Sequence, residues 1–196
     1  ARHTDMTHES ALDALAAVDP DCGLSFAVDA KYMSDWLVPA GPDDIPLAVA
    51  RPKTTEQVSQ LLTVCNTHGI PVVPQGGLTG MAGGATPVKD ALLVSLERMN
   101  AIEGIDRVGQ SMTVDAGVPL QSIQEAADAA GFLFPLDIGS RGSCQIGGNL
   151  ATNAGGNRVL CYGMARDMVL GLEVVLADGT VITAMNKMMK NNAGYD

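Results

Sequence analysis

The sequence predicts an α+β fold, and three observations carry that reading. A strand–helix–strand unit lies in the first half. Short strands with occasional helices follow it, and strand and helix never settle into regular alternation. Composition agrees: 46% of the 196 residues are hydrophobic, enough apolar side chain to offset the entropy of ordering the chain. A net charge of −10 argues against a nucleic-acid or anionic-membrane surface. No apolar run approaches the roughly 18 residues of a membrane span, and nothing at the N-terminus resembles a signal peptide.

Residues 1–9 are polar and carry His3 and His8, two of only three histidines. Residues 10–18 (SALDALAAV) have helical spacing and stop at Asp19-Pro20. Asp35 to Pro46 carries Pro39, Gly41, Pro42 and Pro46 and reads as an extended connector. Leu47–Ala50 suits a buried strand. Thr54-x-x-Gln57 is a capping box, with Val58, Leu61, Leu62 and Cys65 at i, i+3, i+4 and i+7 behind it. Gly69 is the expected helix stop, with His68 in the last turn, and Ile70–Val73 is a β-branched strand. Together these make a βαβ unit.

Leu92–Leu96, Ala101–Ile105 and Ser111–Asp115 read as successive strands. Pro119 sits where a first-turn proline belongs, and Leu120, Ile123, Ala126, Ala127 and Ala130 line one face of the helix that Gly131 ends. Phe132–Phe134 reads as another short strand. Gly171–Leu176 and Thr180–Thr183 flank Asp178-Gly179, a strong hairpin turn. Cys22, Cys65, Cys144 and Cys161 form no C-x-x-C pair and are expected to be buried, reduced thiols of a cytoplasmic protein.

The 22 glycines are clustered. One cluster is Pro74-Gln75-Gly76-Gly77-Leu78-Thr79-Gly80-Met81-Ala82-Gly83-Gly84; the other runs from Gly147 to Gly156. Glycine lets a backbone approach a ligand closely, so that successive N–H groups converge on one anion. No Lys or Arg occurs between Lys53 and Lys89, so a phosphate here would be held by amides and the Thr79 hydroxyl. A single such stretch is usually only a turn. Two long ones, each beside a strand and each with Thr or Asn interleaved, favour a nucleotide site. Neither G-x-G-x-x-G nor G-x-x-x-x-G-K-[ST] occurs, which argues against a Rossmann site and a P-loop.

The segment V-P-Q-G-G-L-T-G-M-A-G-G-A resembles the pyrophosphate loop of the vanillyl-alcohol oxidase / p-cresol methylhydroxylase (PCMH-type) FAD-binding family. The run from Pro135 to Met164, P-L-D-I-G-S-R-G-S-C-Q-I-G-G-N-L-A-T-N-A-G-G-N-R-V-L-C-Y-G-M, is similar to that family's second FAD-contacting stretch. G-L-E-V-V-L-A-D-G-T-V-I and the terminal K-N-N-A-G-Y-D follow its pattern too. Leu47 to Asp196 is covered, and the best match is the branch of FAD-linked D-lactate, glycolate and D-2-hydroxyglutarate dehydrogenases.

The resemblance implies a PCMH-type fold: a small βαβ-containing subdomain (47–116), then part of a larger, mostly antiparallel subdomain with helices (117–196), behind a leader at 1–46. It implies that Pro74, Gln75, Gly76, Gly77, Leu78, Thr79, Gly80 and Met81 form the loop donating to the FAD pyrophosphate. Pro135, Leu136, Asp137, Ser140 and Ser143 would follow the ribityl and pyrophosphate path. Gly147 and Gly148 would pass close to the cofactor, with Thr152, Asn153, Gly155 and Gly156 completing that wall. The Val175 main chain would meet the adenine. Covalent-flavin relatives often carry His where Leu78 stands, so FAD is expected to be noncovalent; Cys144 reads as a small packed residue rather than a flavin link.

Family members are more than twice as long and continue past G-Y-D into S-E-G-T-L-G, so the chain reads as truncated at its C-terminal end, without the substrate cap. The cap holds the carboxylate clamp, the catalytic base and any metal, so no catalytic or metal-binding residue is assigned here and the chain alone is expected to be inactive. The implied partners are a 2-hydroxy-acid substrate and an electron acceptor, with a homodimer left open. A non-catalytic FAD- or nucleotide-binding module is the alternative, and a cell-wall-precursor reductase on the same fold a lesser one.

Overall fold

The computed structural model describes residues 10–185. The polar stretch 1–9 and the terminal K-N-N-A-G-Y-D lie outside the described residues. Helical turns at residues 10–16 (α1) lead through 3-10 turns at Pro20–Cys22 and Ala30–Tyr32 into β1 (Ala48–Ala50). Helix α2 (Thr55–His68), β2 (Val72–Gln75) and β3 (Leu92–Ser95) follow. These strands form a parallel sheet in the order β1-β3-β2, with Leu92 opposite both Ala48 and Val72. The βαβ unit is therefore present, but β3 inserts between its two strands. All four β3 residues are buried, so β3 belongs in the centre, whereas Pro74, which lacks an N–H, sits on edge strand β2.

Local chemistry adjusts the element boundaries. The Thr54 hydroxyl accepts from the Gln57 N–H as expected, but the Gln57 side chain accepts from Lys53 N–H instead of closing the capping box. Gly69 ends α2 at φ +66°, and the next amide, Ile70 N–H, bonds back to Cys65 O. Ile70 therefore belongs to the helix cap, and strand pairing starts only at Val72.

The sheet divides the core. Leu15, Val18, Cys22, Leu61 and Cys65 pack on one face with Ala48, Ala50, Leu92 and Val94; Tyr32, Val49, Val73, Ala91 and Leu93 fill the other, with Leu78 against them. Burial pushes the Cys65 thiol up to about 11, which keeps it protonated. Cys22, Cys65 and Cys144 are buried, but Cys161 is exposed, which corrects the expectation of four buried thiols. It lies on a four-residue helix none of whose residues is buried.

Strands β4 (Ile102–Asp106) and β5 (Ser111–Val114) form one antiparallel ribbon, and β6 (Leu172–Val175) and β7 (Val181–Ala184) another. Between them lie α3 (Leu120–Ala129), α4 (Ile146–Ala151) and α5 (Val159–Tyr162). Pro119 is the N-cap of α3 rather than its first helical residue, because its extended backbone bridges to Gln145. Phe132–Phe134 is not a strand. Phe132 N–H caps α3 by bonding to Ala127 O, and the Gln124 side chain holds Leu136 O at 2.6 Å. The β6–β7 turn has Gly179 at φ +88°, and Ser59 of α2 donates to Gly179 O at 2.6 Å.

Candidate cofactor site

The two glycine segments meet. A Cβ on Gly77 would fall on the Ser143 carbonyl and 2.9 Å from Cys144 Cα, so only glycine lets these backbones cross here. A Cβ on Gly76 would lie 3.5 Å from Gln145 Oε1 and 3.9 Å from Gly148 Cα. The parallel sheet positions this junction, since the first loop leaves the C-terminal end of β2. The bridge between Pro119 and Gln145, with Ile146 N–H on Val118 O and Gly147 N–H on Ala116 O, holds α4 opposite it.

Among the described residues, the N–H groups of Gly77, Leu78, Thr79 and Gly80 donate to no backbone or side-chain acceptor. Among the described residues the Thr79 hydroxyl has no partner either. Neither Pro74–Gly84 nor Ser143–Gly156 contains an acidic residue, so nothing within them repels an anion. Among the described residues, Gln145 Oε1 and Asn149 Oδ1 are buried acceptors without a donor, an arrangement that is costly unless a ligand or water supplies one. A Cβ on Gly148 meets nothing within 4 Å, so its face of α4 is open. Free amide donors, open glycine surface and orphaned amide oxygens fit a ligand with a pyrophosphate and a hydroxyl-bearing chain.

The remaining candidates are placed differently. Gln75 is buried, and its Nε2 spans Tyr32 O (2.9 Å) and Ala85 O (2.8 Å), so it ties the loop's stem. Pro74 and Met81 are exposed, and Leu136 is packed in the core beside Pro135. Leu78 adopts φ +54° with its side chain in the core, a left-handed conformation unusual for leucine. The Asp137 carboxylate lies 3.8 Å from Arg158 Nε, and a Cβ on Gly156 would fall on the Asp137 backbone. Ser140 O accepts from Ser143 and Cys144 N–H, folding that turn. Thr152 donates to Gly148 O, and Asn153 Oδ1 accepts from Arg166 N–H, so both side chains are engaged locally. A Cβ on Gly155 would lie 3.3 Å from Met164 Cε. Val175 pairs with Val181 on the ribbon docked against α2, and no hydrogen bond joins it to either glycine segment.

Sequence reasoning missed Gln145, Asn149, Arg158 and Asp35. The Asp35 carboxylate is 5% exposed and accepts from Leu37, Val38 and Gly83 N–H. The Val38 N–H first, then those of Leu37 and Gly83, hold its pKa below the usual carboxylate range. Its Asp-Trp-Leu-Val context could have suggested a side-chain turn. No spacing rule links it to a glycine 48 residues away.

A family model described as "FAD binding domain" matches residues 46–185. The chain belongs to the PCMH-type FAD-binding domain family. FAD is the cofactor of this family, and the free donors of the first loop are of the kind its pyrophosphate needs.

Among curated relatives, "D-2-hydroxyglutarate dehydrogenase, mitochondrial" of Danio rerio is 47% identical over 163 residues, covering 83% of this chain and 30% of that protein. The Bos taurus protein of the same name is 49% identical over 146 residues, covering 74% of this chain and 27% of its own. The chain thus spans under a third of these relatives' length. An alkyldihydroxyacetonephosphate synthase structure shares the fold with a TM-score of 0.78 at 21% identity, covering 89% of this chain and 38% of that one. The location printed in these relatives' names is mitochondrial, which overturns the cytoplasmic location expected from the sequence. Free thiols do not distinguish the cytoplasm from other reducing compartments.

Among the described residues no helix is long and apolar enough to cross a membrane, and no group of three or more His, Cys, Asp or Glu could hold a metal ion.

Proposed function

We propose that the chain is the FAD-holding part of a dehydrogenase that oxidises a D-2-hydroxy acid, with D-2-hydroxyglutarate the leading substrate. The observation that carries this reading is the junction of the two glycine segments, with unengaged amides from Gly77 to Gly80 on one side and the open Gly148 on the other. The identity to D-2-hydroxyglutarate dehydrogenases supports the substrate class. The N–H groups of Gly77, Leu78, Thr79 and Gly80, with the Thr79 hydroxyl, donate to the pyrophosphate. Ser140 and Ser143 line the ribityl path, and Gln145 Oε1 and Asn149 Oδ1 accept from ligand hydroxyls. The Val175 main chain meets the adenine edge, and 47–116 and 117–196 act as two halves around the cofactor.

With Leu78 where a histidyl link would form, FAD is held noncovalently. When bound, FAD supplies the acceptor, flavin N5, for hydride from the substrate Cα. The substrate-carboxylate clamp, the base and the electron acceptor's docking site belong to the length of the relatives that this chain does not span.

Fluorescence titration of the chain with FAD tests the reading, with FMN and NADH as controls. Selective FAD binding, abolished by Gly77→Asp, is the expected result. Dye-linked oxidation by the full-length polypeptide then ranks D-2-hydroxyglutarate above D-lactate and glycolate. FAD binding that survives Gly77→Asp contradicts the assignment.

A further inference from the structure

The first glycine loop is held from outside itself. Its tip is fixed by Asp35: Oδ1 accepts from Leu37 N–H (3.0 Å) and Val38 N–H (2.7 Å), while Oδ2 accepts from Gly83 N–H at 2.6 Å. Trp36 N–H donates to Gly80 O at 3.0 Å, and Thr86 Oγ1 donates to Val38 O at 2.7 Å. Its stem is fixed by Gln75, which joins Tyr32 O to Ala85 O.

We propose that Asp35 is a positioning residue for the cofactor loop, locking the turn at residues 34–39 onto Gly83 so that the amides of Gly77–Gly80 stay open and ordered. The inference rests on the reading that this loop meets the FAD pyrophosphate. It also extends the functional unit beyond the family match, which begins at residue 46.

The physical argument is one of acceptor count. A carboxylate presents two oxygens and is a stronger acceptor than a neutral amide. Asp35 uses one oxygen for its own turn and the other for the loop. Asparagine has a single acceptor oxygen, so Asp35→Asn must release either the turn or Gly83. Five of the nine residues from Gly76 to Gly84 are glycine, the residue type that loses most conformational freedom on ordering. Without an external tether such a loop spreads over many conformations, and its donors no longer converge before the ligand arrives.

The test uses the 196-residue chain, with FAD titration and hydrogen–deuterium exchange of peptide 76–86 in the FAD-free protein. Asp21→Asn is the control, since Asp21 pairs with Lys53 and Arg98 and makes no bond to the loop. Asp35→Asn is expected to speed exchange in 76–86 and raise the FAD Kd on the order of ten-fold, equivalent to ~1.4 kcal/mol. Asp21→Asn should lower Tm and leave both readings unchanged. If Asp35→Asn does not fold, Thr86→Val removes the Val38 tether and gives a weaker form of the same pattern. Unchanged exchange in the Asp35 variant, or a Kd change no larger than that of Asp21→Asn, overturns the proposal. Failure of both the unsubstituted chain and the full-length polypeptide to bind FAD, with the exchange difference intact, overturns the cofactor reading and leaves the tether standing.

Discussion

The two glycine segments use the same residue for opposite ends. In the first, from Pro74 to Gly84, the side chains that fix the loop come from far away in sequence, and the amides of Gly77–Gly80 are left open. In the second, from Gly147 to Gly156, most bonds are made within or beside the segment. Thr152 bonds to Gly148, Asn153 takes Arg166 N–H, and Gly147 and Gly156 lie against the backbones of Ala116 and Asp137. Most glycines of the first loop leave its donors free for a ligand, with Gly77 alone pressed against backbone; in the second, Gly147 and Gly156 let backbone pack on backbone, whereas Gly148 stays open. A count of glycines cannot tell these uses apart, but the atom that an added Cβ would meet does.

Substitutions break or sharpen that contrast, beginning with the largest effect. Gly156→Ala drives a Cβ into the Asp137 backbone, with Asp137 C at 2.7 Å and N at 3.0 Å, where no side chain can swing aside. Urea denaturation should show a loss of about 3 kcal/mol, at the upper end for overpacking a fixed site. Gly77→Ala presses on the Ser143 carbonyl and should part the two segments. FAD affinity should fall about a hundred-fold, ~2.7 kcal/mol, with a stability loss of about 1–3 kcal/mol.

Gly148→Ala separates the two uses within one helix. Its Cβ meets nothing, so the chain should gain about 0.5–1 kcal/mol from better helix propensity. FAD binding should nevertheless weaken, because the methyl occupies the open face. Raised Tm with lowered FAD affinity is the signature to look for; unchanged affinity would remove α4 from the site.

The smallest effect is electrostatic. Asp35 is held below its ordinary range by the N–H groups of Val38, Leu37 and Gly83, so its contribution to stability is present above the unfolded value near 3.8. That contribution is lost as pH falls through the lower, folded value. Urea midpoints measured from pH 6 downward should decline below about pH 4. The decline should be shallower in Asp35→Asn, which has no proton to bind there.

Much of the fold was legible because its signals are local. The Val58, Leu61, Leu62, Cys65 spacing between Thr54 and Gly69 marks α2, and Asp178-Gly179 marks the turn between β6 and β7. The position of β3 between β1 and β2 was not legible, since strand order depends on burial against both neighbours. Phe132–Phe134 shows the converse: strand-like residues with no partner strand, held instead by α3. The site divides in the same way. Its glycines stand out in sequence, whereas Asp35, Gln145 and Asn149 gain their meaning only when the chain brings them to the loop.

The most direct test of the central claim is hydrogen–deuterium exchange of the chain with and without saturating FAD, read over peptides 76–84 and 143–149. FAD bound between the two segments predicts slowed exchange in both peptides together, and little change in β6–β7 beyond Val175. Binding that protects neither peptide, or only one, would contradict a cofactor held across their junction.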